Sequence, residues 1–252
     1  MTYCLAMRMV DGLVFLSDTR TNAGVDNVST YRKLHVFRPA PDRLFVLQSA
    51  GNLATTQEVL DRLAIDLDTP GDHESLASVT HLFEAALYLG RLGQRVTAAH
   101  RDALQSVGAD GTATFILGGQ IANAPPDILL VYPEGNYIRA SDERPFLQIG
   151  ETKYGKFLLD FVGTRDVDLV TATKIGLGSM MSTARANLSV GPPYDAAVYR
   201  TNSFDLDEYR FTTDSVILKE LSDVWERHLV GIVNDLPHVA LSDLRDAERR
   251  GL

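Results

Sequence analysis

A single cysteine, Cys4, in 252 residues excludes an intrachain disulfide framework, and the lack of paired cysteines excludes a thiolate zinc site. The six histidines, His35, His73, His81, His100, His228 and His238, show none of the helical spacing of a metalloprotease, so neither a metal nor any other cofactor is expected. Long apolar runs are also lacking: none approaches the roughly 20 residues that span a bilayer. Positive charge is scarce, with 24 Lys and Arg against 33 Asp and Glu and a net charge of -9. Nucleic acid and anionic membranes, which need a basic face, are therefore disfavoured as main partners. The N-terminus has no basic-then-apolar secretory design, which makes the cytoplasm the expected compartment.

What is there is ordinary globular material, 45% hydrophobic and 23% charged. No internal repeat, low-complexity run or linker divides it, and one domain is expected over residues 1–252, with a helical C-terminal extension from about residue 218. From Thr2, "TYCLAMRM" alternates as a strand, Asp11 and Gly12 supply a tight turn, and "LVFLSD" returns. "KLHVF" and "RLFVLQSAG" are further strands. Helical spacing follows in Val59, Leu60, Leu63 and Leu67, and again from about Glu74 to Leu104. "TATFILGGQ", "DILLVYP" and "NYIRAS" predict a second group of strands. Helices are predicted near residues 152–161 and 169–186, then strands in "DAAVYR" and "EYRFTTD", then an amphipathic C-terminal helix. This order predicts an α+β fold, two antiparallel sheets with helices outside, in a four-layer αββα sandwich.

Chemistry concentrates at the start of the chain. A threonine after the initiator methionine has a side chain small enough to permit methionine removal, and would then carry both an α-amine and a hydroxyl, base and nucleophile in one residue. An α-amine titrates near pH 8 in model peptides, so a useful fraction is neutral and can accept the hydroxyl proton. Asp18 ends the second strand and Lys33 begins the third. If the three strands are antiparallel neighbours, Thr2, Asp18 and Lys33 meet. A nearby lysine disfavours protonation of the amine, and a carboxylate paired with the lysine fixes that charge.

"SDTRTNAG", then "RKL", then "SAGN" resemble the active-site frame of proteasome β subunits and their bacterial relatives. The longer strings "FILGGQ", "PPDILLVYPEGNYI", "IGETKYGK" and "ANLSVGPPYD" resemble one branch of it, the Anbu family of ancestral β subunits, over essentially the whole chain. The resemblance implies an N-terminal-nucleophile hydrolase, a threonine peptidase or amidase working through an acyl-enzyme. Thr2 takes the nucleophile position, Asp18 and Lys33 its companions, Arg20 a supporting place and Gly51 the oxyanion-holding N–H. It also implies a substrate pocket bordered by Asn22, Tyr31 and His35. The implied partners are peptide or amide substrates and further copies of the chain in open helical or lock-washer rings; a substrate-delivery partner is left open.

Two positions depart from the proteasome pattern. Glu151 stands where a serine is expected, and Asn187 replaces an accessory aspartate, with Ser189 slightly out of register. Glu151 either supplies the carboxylate that Asn187 cannot or is a solvated helix-start residue. The C-terminal helix, bearing Trp225 and Leu229, either joins subunits or folds onto its own. A ring-forming scaffold or peptide-binding protein of little activity, and a dedicated amidase or peptide ligase, are the alternative functions.

Overall fold

A computed structural model describes residues 2–22, 28–69 and 71–237, with the side chains of residues 22 and 28 outside that description. The chain divides into two units, Met1–Thr213 and Asp214–Leu252.

In the larger unit, β1 (Tyr3–Met9) and β2 (Gly12–Asp18) form the predicted hairpin, followed by the short pair β3 (Arg20–Asn22) and β4 (Val28–Thr30). Next come β5 (Leu34–Ala40), β6 (Arg43–Gly51), α1 (Leu53–Asp68) and α2 (Leu82–Ser106), then β7 (Ala113–Ile121), β8 (Asp127–Val131), β9 (Tyr137–Arg139) and β10 (Phe146–Gly150). Helices α3 (Lys153–Val162) and α4 (Leu169–Ala186) precede β11 (Tyr194–Arg200) and β12 (Leu206–Phe211). The smaller unit contains α5 (Val216–Asp235).

Two five-stranded antiparallel sheets result, in the orders β10-β1-β2-β11-β12 and β5-β6-β7-β8-β9. Period-two alternation sorts their side chains into layers. Leu44 and Val46 of β6 join Ala6, Leu13 and Phe15 of the first sheet and Ile116 and Ile128 of the second in a core between the sheets. Phe45 and Leu47 point the other way, into a core with Val59 and Leu63 of α1 and Ala85, Leu89 and Leu92 of α2. On the first sheet's outer side α4 lies so close that a Cβ on Gly176 would sit 2.4 Å from Leu16 Cδ1. The four-layer αββα prediction is correct.

Four details of the sequence reading change. "FLQIG" forms β10, an unforeseen strand that pairs with β1, and the β3–β4 pair was also unforeseen. Helix α2 begins eight residues later than periodicity indicated, because the Glu84 carboxylate accepts the N–H groups of Thr80 and His81 and fixes the first turn there. Finally, β5 is no neighbour of β2: after the β3–β4 excursion the chain enters the opposite sheet, and Lys33 approaches Asp18 from there.

Candidate active site

Thr2 sits at the head of β1, an interior strand of its sheet, with β2 on one side and the edge strand β10 on the other. Next to it, Tyr3 N–H donates to Asp18 Oδ1 at 2.9 Å, and Lys33 Nζ donates to the same oxygen at 2.7 Å. Lys33 Nζ also donates to the Arg20 carbonyl at 2.6 Å. Asp18 is fully buried and Lys33 nearly so. A buried pair of this kind holds its geometry, since separating the partners leaves an uncompensated charge in a poorly solvating place. Burial raises the Asp18 carboxyl from its ordinary value, while Lys33 and the N–H groups of Tyr3 and Gly191 pull the other way.

The loop after α4 closes another side. Arg20 Nη1 donates to Leu188 O at 2.8 Å, and its guanidinium occupies the space that a Cβ on Gly191 would need. Thr19 N–H donates to Pro193 O at 3.0 Å and Tyr31 N–H to Thr19 O at 2.8 Å. Tyr31 itself is exposed. Asn187 caps α4; its Oδ1 accepts the Ser189 N–H at 3.0 Å and its Nδ2 donates to Glu151 Oε2 at 3.0 Å. Glu151 N–H donates to Thr2 O at 2.7 Å. The preceding Gly150, at φ +84, turns the chain out of β10 so tightly that a Cβ there would lie 1.9 Å from Thr2 O. Glu151 and Asn187, far apart in sequence, are thus hydrogen-bonded to each other beside Thr2.

Gly51 ends β6, exposed, with φ +113. Two residues before it, Ser49 donates its N–H to Lys33 O at 3.1 Å and accepts from Cys4 Sγ at 3.6 Å, so the strand leading to Gly51 borders both β1 and Lys33. His35 lies further along β5, lining a cleft of about 420 Å³ with Arg32, Arg38, Leu60, Asp61 and Glu208. Burial lowers its pKa. Tyr31 is not among the residues lining that cleft, and the side chain of Asn22 lies outside the described residues. Among the described residues no group of three or more His, Cys, Asp or Glu is arranged to hold a metal ion.

No sequence pattern indicated the support behind β1. The Tyr3 hydroxyl lies 2.7 Å from Ser179 Oγ of α4 and accepts from Gln148 Nε2 of β10, with burial pushing its pKa up to about 12. Residues 3, 148 and 179 are brought together only by the fold. Tyr3 therefore has both its N–H and its hydroxyl tied to neighbouring elements, which restrains the residue carrying the candidate nucleophile.

A threonine at the head of an interior strand, beside a buried lysine–carboxylate pair in a four-layer αββα sandwich, defines the class as the N-terminal-nucleophile hydrolase fold of proteasome β subunits. No protein-family model and no curated protein matches the chain. Solved structures do: Anbu (ancestral beta-subunit) from Yersinia bercovieri is 42% identical, with 95% of this chain and 99% of that one covered and a TM-score of 0.88. A structure of the helical assembly of the Anbu complex from Pseudomonas aeruginosa is 41% identical over 95% and 99% of the two chains, TM-score 0.88. Anbu from Hyphomicrobium sp. strain MC1 is 40% identical over 95% and 100%, TM-score 0.85. The chain belongs to the Anbu family.

Proposed function

We propose that the chain is a threonine hydrolase of proteasome type that acts on peptide or amide bonds once Met1 is removed. The observation that carries this reading is the Asp18 oxygen shared between Lys33 Nζ and the N–H of Tyr3, which ties a buried ion pair to the peptide unit that follows Thr2. In the proposed reaction the Thr2 amine accepts the hydroxyl proton and Oγ adds to the substrate carbonyl. The Gly51 N–H holds the oxyanion, and the amine returns the proton to the leaving nitrogen. Water activated by the same amine then releases the acyl group. Lys33 and Asp18 fix the electrostatics around the amine, Arg20 steadies the loop after α4, and His35 and Tyr31 border the approach of the substrate.

The test is labelling by a threonine-directed electrophile such as a peptide epoxyketone, read by mass spectrometry of the N-terminal peptide. Chain that has lost Met1 is expected to carry the adduct on Thr2, whereas Thr2→Ala and chain that retains Met1 carry none. Labelling that persists in either of them overturns the reading.

The Glu151–Asn187 bond favours a second reading, a self-assembling protein with little turnover, because by the resemblance Glu151 stands where a proteasome subunit has a serine and Asn187 where it has an accessory aspartate. Both readings include self-association, supported by the helical assembly of a 41% identical relative. We assign α5 to that role, since Leu229, Val230, Ile232 and Val233 crowd its last turns and are all exposed.

A further inference from the structure

Few charged groups are placed to act on the Thr2 amine. Lys33 and Asp18 neutralise each other at 2.7 Å, so at the Thr2 amine they act as a dipole, not as a free charge. Arg20 gives Lys33 its carbonyl and holds its guanidinium at Leu188 O. Tyr3, Cys4 and Tyr194 also surround the site, but burial raises the proton affinity of all three and keeps them neutral through the ordinary pH range. From the loop after α4 come Asn187 and Ser189, both uncharged. The carboxylate that remains is Glu151, whose backbone N–H is bonded to Thr2 O and whose side chain, among the described residues, is held by the neutral amide of Asn187.

We infer that Glu151 is a positioning residue for the amine: its carboxylate holds the freed Thr2 α-amine as an ammonium and keeps the nucleophile quiet until the pH rises. This deepens the proposed function and rests on the removal of Met1. Asn187 has a defined part in it. It is anchored through Oδ1 to the Ser189 N–H, which leaves its amide hydrogens to fix the Glu151 carboxylate. The two departures from the proteasome pattern become one device: the carboxylate has moved from the loop after α4 to the end of β10, onto the residue whose N–H is bonded to Thr2 O.

The experiment follows the amine directly and requires no turnover. Protein shown by intact mass to lack Met1 is pulsed with acetic anhydride across pH 5 to 10, and acetylation of the N-terminal peptide is quantified by mass spectrometry. In Glu151→Gln the side-chain oxygen can still accept from Asn187, so a purely structural role predicts an unchanged midpoint. Loss of an attracting charge predicts a midpoint lower by about one pH unit, roughly a tenfold change in acidity. Glu151→Ser, the smaller replacement, should move it in the same direction if the Gln variant folds poorly. A midpoint that is unchanged or raised overturns the inference and leaves the proposed hydrolase intact. A wild-type chain found to retain Met1 has no Thr2 amine and overturns both.

Discussion

At the scale of single residues, the Lys33–Asp18 pair dominates, because removing either partner leaves the other buried without its counter-charge. In Lys33→Met, Asp18 keeps the burial that raises its carboxyl and loses its main opposing charge. Its folded-state proton affinity, already above the ordinary value, rises further, so the added loss of stability is absent below the ordinary carboxylate range and grows as pH rises through the folded value. The expected cost near pH 8 is about 3–5 kcal/mol, a fall in Tm on the order of 10 °C for a domain of this size. The deficit should narrow towards pH 4, and adding Asp18→Asn should recover most of it. Thermal melts of the three proteins at both pH values check this; a deficit that does not depend on pH contradicts it. Asp18 and Lys33 were legible as candidates because charges at strand ends beside a possible N-terminal nucleophile have a chemical use. Their depth was not legible, since burial of a charge depends on what the rest of the chain places over it. Nor was the Glu151–Asn187 bond, which joins the end of β10 to the end of α4 across 36 residues.

At the scale of elements, the site is made by strand ends, and tight glycine turns shape two of them. β6 ends at Gly51 in a conformation that L side chains rarely adopt, and a Cβ there would sit 2.4 Å from Thr112 O. Gly51→Ala is therefore expected to force β6 away from β7 at the mouth of the site, costing about 1–3 kcal/mol and reducing electrophile labelling of Thr2 at least tenfold. A variant that melts and labels like the parent would show that this turn does not position the N–H proposed to hold the oxyanion. Strong periodicity made the hairpin β1–β2 and helix α4 readable, α4 to the residue. β10 escaped notice because "FLQIG" is short and its extended conformation is fixed by pairing with β1, not by propensity. The placement of Lys33 was misread for a related reason: adjacency in sequence predicts strand pairing only where no excursion intervenes, and β3–β4 intervenes here.

For the molecule as a whole, the balance lies between a net charge of -9 and a helix with apolar residues on more than one face. Like charge opposes association, whereas the exposed Ile217, Val224, Leu229, Val230, Ile232 and Val233 favour it, since a helix with that much uncovered apolar surface is stabilised by a partner. If α5 supplies the contact between copies, added salt should enlarge the assembly by screening the repulsion while leaving apolar burial intact. Leu229 and Val233 are one helical turn apart and share a face. Replacing both with Glu adds charge and removes apolar area on that face, so sedimentation velocity at 50 and 500 mM salt should show the variant as smaller species at both, with the parent larger at the higher salt. The buried Cys4 thiol provides an internal control for the larger unit. It should resist iodoacetamide equally in parent and variant and react only in denaturant, because burial both hides the sulfur and disfavours its thiolate. An assembly of unchanged size with Cys4 still protected would move the contact between copies away from α5.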